Sequence, residues 1–173
     1  TGPLNYRKED ILFHGYQYIG CVEAGGPEPG VGCAGRGIIT SFELLQQFNI
    51  KEEYDIILYD VLGDVVCGGF AVPIRREYAD MIFLVTSGEY MAMYAANNIL
   101  RGIKNYDHGK CRVAGLLYNS RNIEDEDDKV EAFAAAVGLP ICARIPRSDV
   151  FAQAEKENRT IAELVSHKKV ENQ

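Results

Sequence analysis

Apolar and polar positions along the chain follow two alternating periods. Four short, mainly apolar runs, Ile56–Val61, Met81–Thr86, Val113–Tyr118 and Ile141–Ile145, predict β-strands, the first two of them buried. Helical spacing falls between and after them. Ile38, Phe42, Leu45 and Phe48 share one face of a predicted helix over Ile38–Phe48. Further helices are predicted over Glu89–Ile103 and Glu124–Val137, the latter closed by Gly138. Phe151–Glu157 and Thr160–Val165 predict short helices, and the tail is expected to fray from Lys168. Residues 1–20 predict loop with an edge strand. Acids at 124–128 open their helix at its favourable end, as a solvated first turn. Tyr90, Met91, Met93, Tyr94 and Ala95 give the second helix a broad apolar surface, suited to core or a subunit interface. Strand, helix, strand, helix, strand is the order of a parallel α/β sheet.

The 173 residues fit one domain, 1–173, with 47% apolar content. A net charge of −7 argues against a general nucleic-acid or anionic-membrane surface. No run of about 18 apolar residues occurs, and Thr1–Asp10 lacks the apolar core of a signal peptide. A cytoplasmic protein is expected, with neither nucleic acid nor membrane as partner. Five cysteines, an odd number without secretory features, disfavour a disulfide framework. No CxxC occurs, and only Cys111 has a histidine near it, so a zinc site of ordinary spacing is disfavoured.

Two stretches carry the candidate chemistry. In Tyr59–Phe70, Asp60 stands at the carboxyl end of a predicted strand, where phosphate-binding α/β folds hold Mg²⁺ or position water. Cys67 follows seven residues later beside Gly68 and Gly69, within about 25 Å at full extension. The segment reads as a coupler between a nucleotide end and a soft-metal end; the alternative is a strand followed by a glycine-rich loop. Cys21–Gly37 holds six glycines and two prolines in 17 residues, too many for regular structure. Cys33 lies there just ahead of a predicted helix, whose exposed N–H groups and dipole stabilise a thiolate or an anionic thiolate-bound cluster. A small buried thiol in a turn is the alternative. Gly30-(x4)-Gly35 and Gly32-(x4)-Gly37 have the glycine spacing of a phosphate loop, but neither is followed by Lys-Ser or Lys-Thr, so that reading is rejected. Asn119-Ser120-Arg121-Asn122 and Pro146–Asp149 follow the last two strands. Asn119 offers donor and acceptor to a purine edge, or else serves an Asx-turn or a helix cap. Asp60, Asp64, Asn119 and Asp149 are all expected at one edge of the sheet.

With Cys21–Gly37, Tyr59–Phe70, Ala95-Ala96-Asn97-Asn98-Ile99 and Asn119–Asn122 in view, the chain closely resembles the nitrogenase iron protein family, from about residue 15 to 165. The resemblance implies a P-loop NTPase-like, MinD-like α/β architecture: an open, mainly parallel sheet with helices on both faces. It implies an ATP-dependent electron donor to the catalytic component of nitrogenase, a homodimer bridged by one [4Fe-4S] cluster. It implies Cys33 and Cys67 as cluster ligands, Asp60 as the Walker B acid, and Asp60–Asp64 as the switch relaying nucleotide state to Cys67. Asn119 matches an adenine contact, and Pro146, Arg147 and Asp149 belong to the loop beside the base. Arg36 matches an arginine of the docking surface that is ADP-ribosylated in some members.

The family opens with a strand and a glycine-lysine phosphate loop that do not occur within these 173 residues. The chain is therefore expected to correspond to the C-terminal two-thirds of the family domain, and binding and hydrolysis of MgATP by it alone are not expected. Two alternatives share the architecture: a reductase component for a nitrogenase-like enzyme acting on tetrapyrroles or organosulfur compounds, and a truncated cluster-binding paralogue without ATPase activity. A deviant-Walker partitioning ATPase would not need Cys33 and Cys67.

Overall fold

β-Branched and leucine-rich runs separated by helical spacing give the expected α/β order. The structure, a computed structural model, describes residues 6–25, 35–61, 63, 72–74, 78–106 and 112–171. In chain order the elements are β1 (Phe13–His14), β2 (Gly20–Cys21), α1 (Gly35–Gln47), β3 (Ile82–Thr86), α2 (Tyr90–Tyr106), β4 (Val113–Asn119), α3 (Glu126–Val137), β5 (Ile141–Ile145), α4 (Val150–Lys156) and α5 (Ile161–Glu171). They fall into two compact units, one of Ala24–Arg147 and one of Thr1–Glu23 with Ser148–Gln173.

In the first unit β3, β4 and β5 form a parallel sheet in that spatial order, joined by crossovers through α2 and α3. Leu84 pairs with Leu116, and both turn to one face of the sheet, where Ala134 of α3 completes a buried cluster. Ile99 and Leu100 of α2 and Phe133 of α3 pack against it, so both helices cover this face. Burial at period two therefore marks Leu84 and Thr86 in β3, while Phe83 and Val85 between them are 43% and 62% exposed. The run 81–86 is thus half-buried rather than fully buried. It stands at the end of the strand order, and its second face is uncovered among the described residues.

The run 56–61 is not a strand. Its backbone forms no ladder, and Ile56 and Leu58 are 79% and 89% exposed. Strand formation needs a neighbour to satisfy the backbone N–H and C=O groups, and no described strand adjoins this run. Apolar composition alone does not supply one. The run is held instead by aromatic contacts. Phe42 of α1 lies 5.0 Å from the Tyr59 ring and 4.4 Å, edge-on, from that of Tyr78. Lys51 Nζ sits 4.8 Å from the Tyr78 centroid and 5.9 Å from that of Tyr59.

In the second unit β1 and β2 pair antiparallel, Phe13 with Cys21 and His14 with Gly20. Tyr16 Oη meets Ser166 Oγ of α5 at 3.2 Å. Among the described residues, Leu12, Ala154 and Leu164 are its buried apolar side chains. A reciprocal cap starts α5: Thr160 N–H donates to Glu163 Oε2 at 2.7 Å and Glu163 N–H to Thr160 Oγ1 at 3.2 Å. The helix continues to Glu171 rather than fraying from Lys168.

Candidate functional site

A polar turn that follows a strand must satisfy its own backbone, and the turn after β4 does so around one carboxylate. Asn119 ends β4 in register with Ile145, the last residue of β5, and is exposed. Ser120 N–H continues the ladder by donating to the Ile145 carbonyl at 2.9 Å. Beyond it Glu126, the first residue of α3, reaches back under the turn, only 4% exposed. Its carboxylate accepts the Arg121 N–H at 2.9 and 3.0 Å, the Ser120 hydroxyl at 3.0 Å and the Ile123 N–H at 3.4 Å. It also accepts the Gly88 N–H, at 3.0 Å, from the turn between β3 and α2. Burial pushes this carboxyl up, but the donors from Arg121, Gly88, Ser120 and Ile123 outweigh it and hold the pKa at about 2. Glu126 is therefore ionised at neutral pH.

Space for this arrangement comes from Gly88. A Cβ there would collide with Glu126 Cγ and lie 3.0 Å from its carbonyl oxygen. A second, exposed link joins the two turns, since Arg121 Nε lies 3.3 Å from Glu89 Oε2 and Glu89 in turn accepts from Ser87 Oγ at 3.1 Å. Asn122 and Asp125 adopt left-handed backbone, φ 60° and 56°, which Asn and Asp tolerate. Nearby, Arg144 of β5 bridges Asp127 at 3.0 Å and Glu131 at 2.7 Å and lies 5.4 Å from the Tyr118 ring. Burial raises the Tyr118 pKa. The hollow beside the turn is lined by Tyr118, Ser120, Asn122 and Ile123 together with four acids, Asp125, Glu126, Asp127 and Asp128, which repel phosphate.

The predicted residues are only partly brought together. Asn119, Pro146 and Arg147 lie at the carboxyl ends of the neighbouring strands β4 and β5, all exposed. Asp149 belongs to the other unit, where it precedes α4 and its carbonyl accepts the Gln153 N–H at 2.9 Å. Asp60 is exposed on the run 56–61, which forms no strand, so it does not stand at a strand's carboxyl end as expected. The preceding Tyr59 has its hydroxyl buried without a hydrogen-bond partner among the described residues. Arg36 lies in the first turn of α1. Cys33, Asp64, Cys67 and the Arg36 side chain fall outside the described residues. Cys21 and Cys142 are exposed free thiols. Among the described residues, no group of three or more His, Cys, Asp and Glu is placed to hold a metal ion, and no helix is long and apolar enough to cross a membrane. Glu126 and Gly88 escaped the sequence reading. The only signal for Glu126 is its place in a five-acid run, which nothing in the sequence distinguishes from its solvated neighbours.

Comparison with known proteins adds what the local geometry leaves open. Residues 4–173 match the family described as 4Fe-4S iron sulfur cluster binding proteins, NifH/frxC family. The chain belongs to this family. A nitrogenase iron protein of Methanospirillum hungatei is 54% identical over 94% of the chain and 59% of its own length. Nitrogenase iron protein 2 of Methanobacterium ivanovii is 52% identical over 90% of the chain and 58% of its own length. The corresponding protein of Methanococcus voltae is 40% identical over 99% and 63%. The chain thus spans about three-fifths of the length of these curated relatives. The family's description names a cluster that four cysteine thiolates ordinarily hold. Two glycine-flanked cysteines, Cys33 and Cys67, match half of such a donor set in kind and number.

Proposed function

We propose that this chain is part of an ATP-dependent electron donor that reduces the catalytic component of a nitrogenase. It would work in the cytoplasm as a homodimer, Cys33 and Cys67 of each copy together holding one [4Fe-4S] cluster. The observation that carries this reading is membership of a cluster-binding family over residues 4–173, with both cysteines inside the match. Two thiolates per chain become four only across a two-fold axis. Such a cluster supplies one-electron transfer when bound.

The chain's own residues then divide the work. Asp60 holds Mg²⁺ or orients water at the phosphate end, and the segment through Asp64 passes nucleotide state toward Cys67. The Phe42–Tyr59 ring contact ties Tyr59, next to Asp60, to α1, the helix that follows the Cys33 stretch. Asn119 reads the base, with Pro146, Arg147 and Asp149 beside it, while Arg36 lies on the surface that docks the acceptor. Within the family's whole domain these residues complete a MgATP site whose phosphate-binding lysines lie outside this sequence. The 173 residues form one iron-protein-like domain in this reading, corresponding to the C-terminal two-thirds of the family domain.

The test is iron and acid-labile sulfide per chain, with native mass, on protein prepared without oxygen. About two irons and two sulfides per chain, in a dimer, are expected. Cys33→Ala and Cys67→Ala should each lose the iron, while Cys21→Ala and Cys142→Ala keep it. Iron absent from the folded protein after reconstitution overturns the reading.

A further inference from the structure

We propose that Glu126 is a positioning residue for base recognition: its carboxylate locks the Ser120–Ile123 turn to the Ser87–Glu89 turn and so fixes the pose of Asn119 toward an adenine edge. The inference rests on the reading of Asn119 as the base contact. An acid that merely answers a helix dipole remains in solvent, as the 73% exposed Asp127 side chain does one residue further on. Glu126 instead gives up hydration, which is costly for a carboxylate unless donors replace the lost water. Four donor groups do so, and they come from two turns at the same edge of the sheet. Gly88 leaves the space through which the side chain passes.

This carboxylate constrains the residue next to Asn119 directly. The Ser120 N–H is held by Ile145 and its hydroxyl by Glu126, and the same hydroxyl accepts the Asn122 N–H at 3.1 Å. The backbone that carries Asn119 is thus fixed on its far side, at the point where the strand gives way to the turn. Fixing matters for discrimination. An Asn amide accepts from adenine N6–H and donates to N7, whereas guanine offers two acceptors on that edge. An amide free to rock would satisfy part of either pattern, so releasing the turn should erode purine preference beyond any general weakening. A purely structural role would weaken both purines alike.

The experiment titrates the 173-residue chain with adenosine and with guanosine, which need no phosphate loop, observed by ligand NMR, for the native sequence, Asn119→Ala and Glu126→Gln. Adenosine is expected to bind more tightly to the native chain, and Asn119→Ala to bring the two affinities together. Glu126→Gln should cut the adenosine preference roughly tenfold. Amide exchange should speed up at Arg121 and Gly88 in that variant while Leu116 in β4 stays protected. A preference lost in Asn119→Ala but retained in Glu126→Gln overturns the positioning role and leaves the base contact standing. No preference in the native chain, or none lost in Asn119→Ala, overturns the base contact and the positioning role with it. Should Glu126→Gln fail to fold, Ser120→Ala removes one of the carboxylate's donors. A partial fall in preference then supports the role, and an unchanged preference overturns it.

Discussion

Glu126 differs from the acids around it only in what surrounds its oxygens, and that difference has a pH signature. In the unfolded chain its carboxyl titrates near the ordinary 4.5, and in the folded protein at about 2. A depressed folded pKa means stability that is fully present above the unfolded value and is lost as pH falls through the folded one. Denaturant melts should therefore show stability declining between about pH 5 and pH 2. Glu126→Gln should cost about 2 kcal/mol at neutral pH and flatten that acid limb. Parallel acid limbs in the two proteins would assign the decline to other carboxyls. None of this was legible in the run Glu124–Asp128, which reads as a uniform solvated turn. The partners that single Glu126 out are mainly backbone N–H groups, one of them 38 residues upstream, and backbone donors leave no mark on composition. Asn119 was legible for the opposite reason: a polar cluster directly after an apolar run marks a strand's carboxyl end wherever that strand is real.

At the scale of elements, β4 and β5 and the helices that flank them follow their sequence patterns closely, because each pattern is local. The end of α3 is the simplest case. Gly138 takes φ 70°, its N–H and that of Leu139 closing on carbonyls of the last turn, in the manner of a left-handed helix cap. A Cβ at this position would meet nothing within 4 Å, so the cost of adding one is the backbone conformation alone. Gly138→Ala should therefore lower stability by about 1–2 kcal/mol, and Gly138→Asn by less. Thermal melts of the pair check this, and equal losses would point to a packing role instead. The run 56–61 failed where Gly138 succeeded because a strand is not a local object. Ile56, Ile57 and Leu58 have the composition of a buried strand, but pairing depends on a neighbour that the run itself cannot specify. The same dependence leaves Phe83 and Val85 exposed on β3, where the sequence suggests burial on both faces.

At the scale of the whole molecule, family membership was legible from two long motifs that carry their cysteines in order, while the division into two units was not. The Glu23–Ala24 boundary falls inside the glycine- and proline-rich stretch Cys21–Gly37 and the Arg147–Ser148 boundary in the loop after β5, and each stretch reads in sequence as a loop of one domain. One unit is continuous in sequence, and the other is assembled from both flanks of it. That arrangement sets a timetable for biosynthesis. Residues 6–23 are made before Ala24–Arg147, and the helices that complete their unit only after it. The hairpin must wait, tethered, while the whole of Ala24–Arg147 is made. Chains halted after Arg147 should accordingly show amides of residues 6–23 exchanging as freely as in an unfolded peptide, with β4 still protected. Restoring Ser148–Gln173 should slow that exchange, and Tyr16 should report it, because its hydroxyl gains Ser166 only then. The unit whose first piece precedes Ala24–Arg147 is thus completed only once that stretch has been made.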